Sequence, residues 1–203
     1  MFRHRFATLL LLLGAAAAQT GDGKGNQYKV SFNADASRVH VDANVWVEGN
    51  ELALFGVDRT EQLKNGQAEF LENIVLSDSA GKPVALTDKG EGEYLVIGDR
   101  RLSLSYDVRL EHGKFTWPAG AEEVSYRTDE GVMATGNALF LVPGVKMDGP
   151  IDVSFAMPPG WTAQTPWRAS GAANAFTVQS RRELVNNALY FGWRVTAWST
   201  TPT

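Results

Sequence analysis

The chain has 203 residues, with 23 acidic against 19 basic side chains, a formal net charge of −4 and no cysteine. An interspersed, mildly acidic charge pattern argues against nucleic acid and against an anionic membrane surface, both of which call for a basic face. Without cysteine there is neither a thiol nucleophile nor a disulfide framework, so a core must hold the fold together, and the length suffices for one large domain.

At the start, Arg3, His4 and Arg5 precede an apolar run from Phe6 to Leu13, followed by small residues from Gly14 to Ala18. This pattern predicts a signal peptide over residues 1–18 with cleavage after Ala18, and hence an exported protein, periplasmic or extracellular. The run is shorter than the roughly 20 apolar residues of a bilayer span, so no membrane span is expected after cleavage. Residues 19–27 read as a flexible, glycine-rich tether. The glycines around Lys24 lack the spacing of a phosphate-binding loop. A β-sandwich domain is expected over 28–198, with a short tail at 199–203.

Tyr28, Val30 and Phe32 alternate with polar residues, and after a polar turn at Ala34 to Ser37 the alternation resumes through Val39, Val41, Ala43, Val45 and Val47, predicting a hairpin. Glu51 to Phe55 reads as a third strand. Helix competes with strand only over Thr60 to Glu72, where Gly66 interrupts the helix formers, so at most one short helix is expected. Strands are expected at Leu71 to Leu76, Val84 to Leu86 and Tyr94 to Ile97. The longest period-two run follows, with Leu102, Leu104, Tyr106, Val108 and Leu110 on one face. Further strands are read through Ser125 to Arg127, Gly131 to Gly144 and Ile151 to Met157, and a final strand or strand pair through Leu184 to Val195. Short strands at close spacing predict an all-β fold, an antiparallel β-sandwich.

Three segments carry a family likeness: the strand ending in Tyr106-Asp107-Val108, the run Gly136-Asn137-Ala138-Leu139-Phe140-Leu141-Val142-Pro143, and the strand leading into Pro158-Pro159-Gly160-Trp161. They resemble the N-terminal β domain of zinc metallopeptidases typified by glycyl aminopeptidase. Weaker matches at Tyr28 to Ser31 and at Arg182 to Val185 extend the likeness over most of the chain. It departs from the family at Phe55-Gly56-Val57-Asp58-Arg59-Thr60, where a Pro-Gly-Ser-Tyr turn is usual.

The zinc site of such peptidases needs His-Glu-x-x-His on a helix, two imidazoles one turn apart with a carboxylate to activate water. The three histidines, His4, His40 and His112, are nowhere so spaced. No zinc and no other cofactor is therefore expected. A Ser-His-Asp triad would have to be built from His40 or His112, which read as solvated strand residues. Glu122, Glu123, Asp129 and Glu130 read as turn acids rather than as a calcium loop. The resemblance implies a noncatalytic module, a scaffold or binder of peptide or protein, with a separate catalytic partner. Gly136 and Asn137 would then lie nearest the ligand. The alternative is a carbohydrate-binding module using exposed members of the six tryptophans.

Overall fold

A computed structural model describes residues 25–57, 59, 63–98, 100–110, 125–145, 147 and 149–193. In chain order the strands are β1 (Asn26–Phe32), β2 (Arg38–Val47), β3 (Glu51–Ala53), β4 (Leu71–Asp78), β5 (Thr87–Gly90), β6 (Glu93–Leu95), β7 (Arg100–Arg109), β8 (Tyr126–Arg127), β9 (Gly131–Thr135), β10 (Val142–Pro143), β11 (Ile151–Ala156), β12 (Trp161–Gln164), β13 (Arg168–Ala169), β14 (Ala175–Val178) and β15 (Ala188–Trp193). Two short helices, α1 (Gly136–Leu139) and α2 (Arg181–Val185), interrupt them. The strands form a seven-stranded sheet, β13-β14-β11-β1-β2-β7-β4, and two four-stranded sheets, β10-β3-β6-β5 and β12-β15-β9-β8. All pairings are antiparallel except that of β1 with β11, which run side by side from Asn26↔Ile151 to Ser31↔Ala156. The fold is all-β, as the short alternating runs predict.

Period-two alternation builds the large sheet. Val39, Val41, Ala43, Val45 and Val47 of β2 face Leu102, Leu104, Tyr106 and Val108 of β7, all buried, while the intervening residues point outward. The two smaller sheets contribute to the same core. Phe191 of β15 meets Phe155 of β11 at 4.8 Å between ring centroids and Phe32 at 5.2 Å, which seats one small sheet on the inner face of the large one. Leu52 and Tyr94, from β3 and β6, join that core from the other small sheet. Among the described residues no helix is long and apolar enough to cross a membrane.

Several expectations need correction. The Thr60 to Glu72 region holds a 3-10 turn at Gly66–Phe70, in keeping with the short turn or helix expected there, but two short α-helices form elsewhere, against at most one short helix expected in all. Val84 to Leu86 is not a strand, and the strand of that region lies later, at β5. Gly131 to Gly144 is not continuous: β9 stops at Thr135, α1 follows, and β10 is a separate two-residue strand. Leu184 and Val185 belong to α2. The sheet begins at Asn26, ahead of the expected boundary at Tyr28. Asn26 is buried and its Oδ1 accepts the Trp46 amide at 2.7 Å, so these last tether residues are structural.

Candidate functional site

Gly136 and Asn137 stand at the first turn of α1, where β9 ends. Thr135 is extended at the N-cap, and the Gly136 amide donates to the Asn187 carbonyl at 3.0 Å. A Cβ on Gly136 would stand 1.8 Å from the Leu184 carbonyl oxygen, so only glycine lets α1 lie against α2. The start of α2 is fixed by Ser180, whose Oγ accepts the Glu183 amide at 3.1 Å, while the Glu183 carboxylate accepts the Gln179 amide at 2.8 Å. This is a capping arrangement, and its Ser-x-x-Glu spelling stands openly in the sequence.

From that fixed turn Arg181 reaches over Phe55, its guanidinium 4.3 Å from the ring centroid, and Nη1 donates to the Pro143 and Gly144 carbonyls at 2.9 and 2.6 Å. Gly56 lies next to Asn137: a Cβ built there would stand 3.5 Å from Asn137 Nδ2. Gln67 Nε2 donates to the Gly56 carbonyl at 3.4 Å. The end of α1 and the segment after it are tied to the large sheet by two buried phenols. Tyr28 donates to the Leu141 carbonyl at 2.9 Å and Tyr106 to the Leu139 carbonyl at 2.7 Å. Within this rigid setting, Thr135 Oγ1 and Asn137 Oδ1 are buried and have no hydrogen-bond partner. Buried polar atoms are nearly always paired, so two together mark a place with unused hydrogen-bonding capacity. Neither Thr135 nor Asn137 carries a titratable side chain. The cluster can therefore bind and orient, but it has no group to move a proton.

The sequence brings a second cluster together on the outer face of the large sheet. His40 Nδ1 lies 2.8 Å from Asp107 Oδ1, His40 Nε2 lies 3.2 Å from Asp42 Oδ1, and Ser105 Oγ lies 3.3 Å from the same Nε2. Serine, imidazole and carboxylate thus stand in the order of a nucleophile triad, contrary to the expectation that His40 is simply solvated. Two features oppose that chemistry. Asp42 faces the nitrogen that would have to take the serine proton, which favours a proton already resident there. Ser105 also lies mid-strand in β7, between β2 and β4, whose ladders engage the backbone donors an oxyanion would need. Beside the cluster runs a trough of about 720 Å³, floored by Lys29, Asn44, Ser103, Ser105 and Ser154, with Val75 and Ser77 of β4 on one wall and Phe176 on the other.

His112, Glu122 and Glu123 lie outside the described residues. Asp129 and Glu130 are exposed in the turn before β9, as expected of turn acids. Among the described residues, no three histidine, aspartate or glutamate side chains are grouped to hold a metal. Among the described residues the tryptophans form no common platform. Trp46, 42% exposed and 6.0 Å from the Arg101 guanidinium, is on the large sheet, whereas Trp193, 58% exposed, is on a small one. Trp167 is buried with its indole donating to the Glu183 carbonyl at 3.2 Å, and Trp161 packs on Phe32. Trp117 and Trp198 lie outside the described residues.

A large sheet backed by two small ones defines a β-sandwich domain. The family model described as the Peptidase M61 N-terminal domain matches residues 62–192. The chain belongs to that family, and the matched span contains Gly136 and Asn137 while leaving the divergent Phe55 to Thr60 segment outside it. An aminopeptidase N family protein from Idiomarina loihiensis shares the fold, with a TM-score of 0.65 and 11% identity over 82% of this chain and 29% of its own. The yeast LTA4 hydrolase in complex with bestatin gives a TM-score of 0.45 at 12% identity, over 85% of this chain and 29% of its own. Native leukotriene A4 hydrolase from Saccharomyces cerevisiae gives 0.38 at 10% identity, over 82% and 28%. The chain thus spans less than a third of the length of these proteins. No curated protein matches it.

Proposed function

We propose that the chain acts as an exported, noncatalytic module that binds peptide or protein and supports a separate catalytic partner, with the α1 corner as its binding edge. The observation that carries this reading is the pair of buried oxygens without a hydrogen-bond partner, Thr135 Oγ1 and Asn137 Oδ1, at the junction of β9 and α1, where Asn137 lies next to Gly56. A peptide supplies amide N–H donors for such oxygens, and pairing them on binding recovers free energy that the free domain forgoes. Membership of a peptidase N-terminal domain family supports a role beside proteolysis, and the restriction of the match to that domain supports a noncatalytic one. The leader pattern of residues 1–18 supports export.

The test is calorimetric titration of the protein with a pool of short peptides, comparing the unsubstituted chain with Asn137→Ala. Because Oδ1 has no partner to lose, the substitution should leave stability within about 1 kcal/mol and weaken peptide binding severalfold. Equal binding by the two proteins would remove Asn137 from the site. Binding of neither protein to any peptide would remove the peptide reading.

A further inference from the structure

β4, at the edge of the large sheet, is bulged. Its register against β7 runs Leu71↔Val108 and Glu72↔Asp107, then resumes at Val75↔Ser105. Asn73 occupies the slip at φ +55°, a left-handed conformation that asparagine tolerates better than most residues. The residue after the slip, Val75, is 60% exposed and forms part of the trough wall. A side-chain hydrogen bond ties Asn73 of the bulge to β7: its Nδ2 donates to Asp107 Oδ2 at 2.7 Å. The other oxygen of that carboxylate is held by His40.

We propose that His40, Asp107 and Asn73 form a proton-sensitive latch that fixes the bulged edge of the large sheet, and with it the β4 wall of the outer trough. An imidazolium has two N–H donors and serves both Asp107 and Asp42. A neutral ring has one, so either Asp107 loses its donor or a ring lone pair is turned against Asp42. The surrounding charges are arranged for this response. From β2, Arg38 and Asp42 flank the ring; from β7, Ser105, Asp107 and Arg109; from β4, Glu72, which pairs with Arg38 at 3.0 Å and with Arg109 at 3.7 Å. On β1, Ser31 stands opposite His40 and Lys29 opposite Asp42. Arg38 and Arg109 are thus engaged by Glu72, Arg38 also acting on Asp107, and the imidazole is the group placed directly between Asp42 and Asp107.

The sign follows from the partners. The hydrogen bond that His40 Nδ1–H donates to the Asp107 carboxylate raises the His40 pKa above its ordinary 6.5, against the opposing effect of burial. The stabilisation is therefore complete below 6.5 and lost as pH rises through the raised value. For Asp107, burial pushes upward, but Asn73, His40 and Arg38 outweigh it and hold the carboxyl below its ordinary 3.8. That contribution is lost only as pH falls through the lowered value. The latch is closed in mildly acid solution and loosens on the alkaline side.

Histidine ring NMR on the full chain, with the His40 signal identified by its loss in His40→Gln, should give a midpoint above 6.5. Hydrogen exchange of the amides from Glu72 to Ser77, corrected for the intrinsic pH dependence of exchange, should show protection falling severalfold through that same midpoint. In His40→Gln protection should be low and independent of pH, and Asp42→Asn should move the midpoint down. A midpoint at or below 6.5 would overturn the proposal. So would β4 protection that ignores the His40 titration, or that is unchanged in His40→Gln.

Discussion

Tyr106 and Leu141 are joined through a single buried hydroxyl that works in both directions: it accepts the Leu141 amide at 3.0 Å while donating to the Leu139 carbonyl at 2.7 Å. The last residue of α1 and the second residue beyond it are thereby paired with the middle of the β2–β7 strand pair. Burial raises the Tyr106 phenol well above its ordinary range, so the hydroxyl stays protonated and remains a donor. Tyr106→Phe keeps the ring and orphans two buried backbone groups. It should cost about 1–3 kcal/mol in urea unfolding, with the strand signal in circular dichroism unchanged. A variant as stable as the parent would mean the α1 corner is held by packing alone.

Tyr106 also shows what the sequence makes legible. Its place on the inner face follows from alternation with Ser105 and Asp107, and the whole of β7 and the β1–β2 hairpin can be read that way. The apolar run from Ala138 to Val142, which spans the end of α1, carries no such period, since one helical turn and a short buried strand look alike over that length. Gly136 was the sign of a close approach, and Ser180-Arg181-Arg182-Glu183 spelled the cap of α2. The parallel pairing of β1 with β11 joins segments more than a hundred residues apart, and neither segment marks its partner. The same limit hid the outer cluster. Alternation puts His40 and Asp42 outward on β2, and Ser105 and Asp107 outward on β7, but only the register His40↔Asp107 brings them together.

Gly136 has a second consequence. Its backbone is an ordinary helical one, so any substitution is opposed by space rather than by conformation. The nearest obstacle is backbone, the Leu184 carbonyl at 1.8 Å and the Val185 Cα at 2.8 Å from an added Cβ, and backbone cannot rotate away. Gly136→Ala should therefore prise α1 from α2 and cost at least about 1–3 kcal/mol, the usual range for overpacking. Thermal unfolding of the purified variant measures it. An unchanged midpoint would show that the two helices have slack between them.

Arg181 is the residue through which α2 holds the opposite side of the corner. Its guanidinium combines a stack on Phe55 with two carbonyl contacts around Gly144, and that geometry uses the planar fork rather than the charge alone. Arg181→Met removes both contributions and should cost about 2–3 kcal/mol, near the upper range for a charged hydrogen bond joined to a partly desolvated ring contact. Arg181→Lys keeps a cation but loses the flat face, so it should recover only part of that loss. Pairing Arg181→Met with Phe55→Leu isolates the ring contact, because each single change removes one partner without making a new contact. A coupling of about 0.5–1 kcal/mol is expected from the stack. If the two changes add without coupling, Phe55 is only a neighbour. The position of Gly56 would then rest on the Gln67 contact with its carbonyl instead.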